Sequence, residues 1–260
     1  MSLEQQFKWY SAEYVKEYIQ NTSISERNSF NSDVNIMVIG HLTHIDMLIQ
    51  FYKGIKNVLF VVDDTEDQNK VQMLKDNGFQ TITFITPSNS GFGNVNKQCG
   101  ASKLGADYLN SIGKKYCIRM RSDQIILQLH TFINNFKFDR LGFLAYVNDE
   151  GGYLMDYCIC GPVKDMMLAF DYQEDGQIAK AAEKKIVETF LSKSGKEVDT
   201  SYDNLQSLFY FMTPTLSKYE INFLMIKQDW HDWTVAIPLQ KDLYWHKDYE
   251  KVFDFENYLN

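Results

Sequence analysis

Short apolar runs alternate with amphipathic stretches along the first two-thirds of the chain. Asn35 to Gly40, Val58 to Val62 and Thr81 to Ile85 are apolar or β-branched runs, each closed by glycine or polar residues, and they predict buried strands. Between them, Ile45 to Lys53 and Gln68 to Asn77 carry apolar residues at helical spacing, with Gly78 ending the second helix. The same alternation predicts a helix over Asn94 to Ser111, a strand over Tyr116 to Arg121, a helix over His130 to Phe136 and a strand over Leu141 to Val147. Further on, the pattern predicts a strand at Tyr153 to Ile159 and helices at Val163 to Phe170, Asp175 to Leu191 and Tyr202 to Thr213. A last strand follows at Ile221 to Ile226. Ahead of all these, Phe7, Tyr10, Tyr14 and Ile19 predict an amphipathic helix within Leu3 to Gln20.

Strand and helix in alternation imply an α/β fold, a mainly parallel central sheet flanked by helices. In such sheets ligands bind beyond the C-terminal ends of the strands. Here those ends are His41 to His44, Asp63 and Asp64, Pro87 to Gly93, and Arg121 to Asp123. All are polar or glycine-rich.

The strand Tyr116 to Arg121 carries the strongest chemical signal. Alternation sends Arg119, Arg121 and Asp123 to one side, and Ile118, Met120 and Ser122 to the other. A guanidinium on a doubly covered strand needs a carboxylate partner or a bound anion. Arg119 suits either. Arg121 and Asp123, at the mouth of the strand, suit a ligand. A carboxylate there fits Mg²⁺ or Mn²⁺ held against a diphosphate. The start of the helix after Gly93 offers backbone N–H groups to phosphate, which makes Asn94, Asn96 and Lys97 candidates for the same ligand.

Composition narrows the partners. The chain has 260 residues and no Pro/Gly/Ser-rich linker, so a single domain over 1–260 is expected. Its formal net charge of -8 argues against broad nucleic-acid binding while leaving room for one basic pocket. The four cysteines form no CxxC pair and read as reduced, buried thiols of a cytoplasmic protein rather than a zinc site. No apolar run reaches the length of about 18 residues that a membrane-spanning helix needs, and the polar start is not a signal peptide.

Three segments in order resemble one family: Asn94-Val-Asn-Lys-Gln98, then Tyr116 to Gln124 with Arg119, Arg121 and Asp123, then Asp156 followed by Gly161-Pro162. Over about residues 35–165 the sequence is similar to WavE-type lipopolysaccharide-synthesis proteins, glycosyltransferases of the GT-A fold. The resemblance implies a lead-in at 1–34, a nucleotide-binding half at 35–127 and an acceptor-side half at 128–260. It places Arg121-Ser122-Asp123 where GT-A enzymes carry Asp-x-Asp, so Arg121 replaces the first carboxylate. It implies that Leu42 and Thr43 meet the base, and that one of Asp63 and Asp64 meets the ribose while the other is a helix N-terminal charge. Arg119, Arg121, Asn94, Asn96 and Lys97 would bind the donor, and Asp156 would be the base, with Asp149 or Glu150 next. Asp123 and His231 would hold the divalent cation, and Trp230 and Trp233 would stack on a sugar. 

The function expected is transfer of a sugar from a nucleotide-diphosphate sugar to the hydroxyl of a glycan or lipid-linked glycan, in lipopolysaccharide or surface polysaccharide synthesis, at the inner face of the membrane. Two alternatives stand beside it. One is a nucleotidyltransferase, although Gly40 to His44 lacks that class's basic loop. The other is a non-catalytic glycan- or partner-binding protein on a decayed transferase fold.

Overall fold

The structure is a computed structural model. It describes residues 9–10, 17, 19–20, 33–90, 94–126, 129–148, 151–172, 182–212, 223–226 and 245–246. Four strands lead the main sheet: β2 (Val34–Ile39), β3 (Val58–Asp63), β4 (Gln80–Phe84) and β5 (Tyr116–Arg121), after a two-residue β1 (Trp9–Tyr10). Then come β6 (Gln124–Ile126), β7 (Gly142–Asn148), β8 (Gly151–Pro162), β9 (Tyr210–Met212), β10 (Phe223–Ile226) and β11 (Trp245–His246). The helices are α1 (Ile45–Tyr52), α2 (Gln68–Asp76), α3 (Val95–Ser111), α4 (Leu129–Asn135), α5 (Val163–Ala169), α6 (Ala182–Lys193) and α7 (Tyr202–Leu208).

The main sheet runs β4-β3-β2-β5-β8-β7-β9, with β11 on β8. β4, β3, β2 and β5 are parallel, whereas β8 is antiparallel to both β5 and β7. This is the mixed α/β, mainly parallel architecture expected, with one reversed strand in its middle. The parallel strands β2 and β3 are buried along their whole length, which is why they read as continuous apolar runs.

Alternation divides the core between the two faces. Ile36, Val38, Phe60, Val62, Ile118 and Met120 pack with α1 and α4. Met37, Leu59, Val61 and Cys117 pack with α3, α5, α6 and α7. α3 lies close because its inner face is small: a Cβ on Gly105 would sit 2.1 Å from Met37 Sδ and 2.9 Å from Val61 Cγ2. That contact sets how near the start of α3 comes to the ends of the strands. α2 is capped by Asp67, whose carboxylate accepts the Asn69 N–H at 2.9 Å, and Gly78 follows its end at φ +80°.

Three elements differ from the sequence expectation. Trp9 and Tyr10 form a strand beside β10, within the stretch expected as helix. The helix expected over Tyr202 to Thr213 stops at Leu208, because Tyr210 donates its N–H to Leu141 O at 2.9 Å and the chain joins the edge of β7 as β9. Beyond Asp123, the chain enters a second, three-stranded sheet, β1-β10-β6. The cysteines at 99, 117, 158 and 160 are free and buried, as expected.

Candidate functional site

The ends of β2, β3 and β5 and the first turns of α3 enclose a cavity of about 590 Å³. Gly40, His41 and Thr43 line it from the loop after β2, Asp63 from β3, and Asn94, Lys97 and Gln98 from α3. Arg121, Ser122 and Asp123 line it from β5 and the turn that follows. Gly40 takes φ +109°, and a Cβ there would lie 2.9 Å from Ser122 Oγ, so the two strand ends meet at a glycine. Ser122 closes the contact by donating its hydroxyl to His41 O at 2.6 Å.

Two ion pairs face the cavity. Arg121 donates Nε to one oxygen of Asp123 at 3.0 Å and Nη2 to the other at 2.7 Å, a bidentate fork. Burial works against the Arg121 charge, but Asp123, followed by Asp156 and Tyr157, more than offsets it and raises the guanidinium's pKa. The Tyr157 ring supports it from 5.1 Å. On the other wall, Lys97 Nζ lies 2.6 Å from Asp63 Oδ2 and 3.2 Å from His41 Nε2.

Arg119 lies under the wall, with no exposed surface. It donates Nε to Ser102 Oγ at 3.2 Å, Nη1 to the carbonyl of Asp156, and Nη2 to Gln98 Oε1 at 3.4 Å. Burial lowers its pKa, and the Asp156 carboxylate, 4.0 Å from Nη2, opposes that. Arg119 is thus paired with a carboxylate, as one of its two expectations had it, and it also lines the cavity from below. Asp156 is 3% exposed. Unlike Arg119, it is not among the residues that line the cavity.

The remaining candidates separate. Thr43 is exposed on the cavity rim, whereas Leu42 is buried and gives its backbone N–H to Glu66 Oε2 at 2.9 Å. Asp63 is the member of its pair inside the cavity. Asp64 accepts the Thr86 N–H at 3.0 Å, which holds its carboxyl below the usual range and ties the ends of β3 and β4 together. The helix N-terminal charge expected of that pair is supplied instead by Asp67. Asn94, left-handed at φ 62°, lines the cavity. Asn96 is buried and pins the preceding loop, its N–H to Ser90 O and its amide to Asn89 O. Asp149, Glu150, Trp230, His231 and Trp233 lie outside the described residues.

Two residues of the site were missed in the sequence. Glu66 sits beneath the loop after β2, 3.6 Å from His41 Nδ1. Burial raises its pKa, but the Leu42 and Asp67 N–H groups, Lys70 and His41 lower it more. Gln98 joins the cavity wall to Arg119. It stands in the Asn94 to Gln98 motif, and one turn of helix from Asn94 was the available signal.

The donor set does not fit a divalent cation. Such a metal needs several oxygen ligands without a competing cation. Both oxygens of Asp123 are engaged by Arg121, and Asp63 is engaged by Lys97. Among the described residues no three His, Cys, Asp or Glu side chains cluster as a metal site.

No family model matches the chain, and no curated protein does. Among solved structures it is similar to an inositol-1-phosphate CTP transferase from T. maritima, at 10% identity and TM-score 0.45 over 80% of this chain and 95% of that one. It is also similar to a 4-diphosphocytidyl-2C-methyl-D-erythritol synthase from Anaerococcus prevotii, at 6% identity and TM-score 0.41 over 68% and 88%. Likeness at this level decides nothing about activity.

Proposed function

We propose that the cavity binds the diphosphate of a nucleotide-activated sugar and that the chain is a transferase using it. One observation supports this above the others: Lys97 and Arg121 face a single cavity at the C-terminal ends of parallel strands, each with a carboxylate behind it. In this reading Asp63 receives a ribose hydroxyl, Thr43 and Asn94 border the nucleoside and donor sugar, and the two cations neutralise the diphosphate.

Glycosyl transfer is the reaction we favour. An acceptor hydroxyl attacks the anomeric carbon, the bond from that carbon to the diphosphate oxygen breaks, and the nucleoside diphosphate leaves against Lys97 and Arg121. Asp156, assigned the acceptor's proton by resemblance, lies 4.0 Å from Arg119 Nη2. The base role is tested by Asp156→Asn. The acceptor class remains a glycan hydroxyl, with lipopolysaccharide or another surface polysaccharide the context of the resemblance. No described helix is long and apolar enough to cross a membrane.

Nucleotidyl transfer is the second reading. It is the kind of activity for which the similar structures are named, and it would use the same strand-end cavity. Its triphosphate needs a basic, N–H-rich loop after the first strand of the sheet. Here the Leu42 N–H is already given to Glu66, a carboxylate.

One assay separates the two. The protein is incubated with UDP-, GDP-, CDP- and TDP-sugars and a glycan acceptor, and separately with nucleoside triphosphates and sugar 1-phosphates. Release of nucleoside diphosphate supports glycosyl transfer; release of pyrophosphate supports nucleotidyl transfer. Neither product, with no nucleotide bound in calorimetry, rejects the proposal.

A further inference from the structure

Each cation on the cavity wall is held from behind. The Asp63 and Asp123 side chains are each 5% exposed, while those of Lys97 and Arg121 are 18% and 20% exposed. The charge more exposed at the cavity wall is therefore positive, and the two carboxylates line the cavity from deeper in. The Asp123 fork uses Nε and Nη2 of Arg121. Among the described residues nothing accepts from Nη1, and they leave its two hydrogens for a ligand. Lys97 likewise has three donors and meets Asp63 and His41. Both side chains can bind an anion without leaving their carboxylates. A divalent cation, by contrast, would have to displace Arg121 from Asp123 and then sit beside two positive charges.

Resting on the nucleotide-sugar reading, we infer that this cavity takes the diphosphate directly on Arg121 and Lys97 without a divalent cation, and that Asp123 and Asp63 are positioning residues that aim the two cations. Arg121 fills the place of the first carboxylate of the GT-A motif, and the second carboxylate serves the arginine. The nearly buried carboxylates stay paired when the ligand binds, so no uncompensated buried charge is created.

The test is isothermal titration of the full chain with UDP, GDP, CDP and TDP, first in EDTA and then with Mn²⁺ or Mg²⁺. The expected result is that one nucleotide binds in EDTA with the affinity it shows in the metal. Arg121→Ala weakens that binding by about ten- to hundredfold, the loss of a charge-assisted contact, and Lys97→Ala acts in the same direction. Asp123→Asn, which loses one of the two acceptors that aim Arg121, weakens binding by the same factor in EDTA and in the metal. Binding that appears only with the metal and is abolished by Asp123→Asn overturns the inference and leaves the nucleotide-sugar reading standing. No binding of any nucleotide in either buffer overturns both. The wild-type titrations decide this even if a variant does not fold.

Discussion

On one face of β5, Ile118 and Met120 belong to an apolar cluster with Leu48, Tyr52 and Phe60; on the other, Arg119, between them in sequence, is as fully buried against Ser102, Gln98 and Phe170. The same strand, at the same depth, thus carries two kinds of interior. The first is stabilised by removal of apolar surface from water and tolerates any shape that fills it. The second holds a charge, which survives there only while each donor is met and Asp156 is near. The difference locates the site: a parallel sheet needs no charge in its core for folding, and the charged face is the one whose strand ends open into the cavity.

The most severe test of that contrast is Arg119→Met. The variant fills the volume but leaves the Asp156 carboxylate buried beside an apolar chain, and urea unfolding should show a loss of about 3–5 kcal/mol. The double variant with Asp156→Asn removes both charges and should recover most of that loss. If the single variant is as stable as the parent, Arg119 is an ordinary filler, and the two faces of β5 do not differ.

Packing of α3 on that face gives the next effect. Gly105→Val forces atoms into the space of Met37 Sδ and Val61 Cγ2, and overpacking of this kind costs about 2–3 kcal/mol in urea midpoint measurements. Because the cavity borders the start of α3, nucleotide binding should weaken along with stability. Unchanged binding would mean that α3 and the strand ends are not coupled.

How much of this was legible differs between the faces. β2, β3 and β5 were readable because strands buried on both sides leave continuous apolar runs, and Arg119 and Arg121 were conspicuous as interruptions. The cavity wall followed, since Asp63, Asn94, Lys97, Arg121 and Asp123 all stand at strand or helix ends. Partner choice was not legible. That Asp123 meets Arg121 depends on rotamers two residues apart, and that Asp64 meets Thr86 depends on strand neighbours 22 positions apart in sequence. The reversal of β8 and the entry of β6 into a second sheet depend on pairings with distant segments that no local period encodes. Tyr210 to Met212 continued a helical pattern, and the open edge of β7 captured it as a strand instead.

The loop at the cavity's rim offers a smaller effect with a defined pH dependence. Glu66→Gln keeps an acceptor for the Leu42 N–H but loses the charge, and about 1 kcal/mol of stability should go with it at neutral pH. Glu66 has a folded pKa below its unfolded value, so its contribution is present above the unfolded carboxylate range and is lost as pH falls through the folded pKa. Parent and variant should therefore converge in acid. A gap that stays constant below the carboxylate range would assign the loss to packing.

The apolar face of β5 gives the smallest effect at neutral pH. Tyr52 has no exposed surface, and its ring meets Phe51 edge-on at 4.9 Å and Phe60 at 6.0 Å, contacts that phenylalanine keeps. Among the described residues the hydroxyl meets only a poor acceptor, Met120 Sδ at 3.7 Å. Tyr52→Phe should cost less than about 1 kcal/mol near pH 7. Its signature lies in alkali. Burial, with a smaller contribution from Cys158, pushes the Tyr52 pKa above its ordinary value. Below pH of about 10 the phenol is neutral in folded and unfolded chains alike, and above it only the unfolded chain ionises. The parent thus loses stability as pH rises, and the phenylalanine variant is spared this loss, which approaches about 1.4 kcal/mol per pH unit. The other buried tyrosines and the thiols titrate in both proteins and cancel in the comparison. A variant that tracks the parent through alkaline unfolding would mean that water reaches the Tyr52 hydroxyl, and that the apolar face is less dry than the charged one.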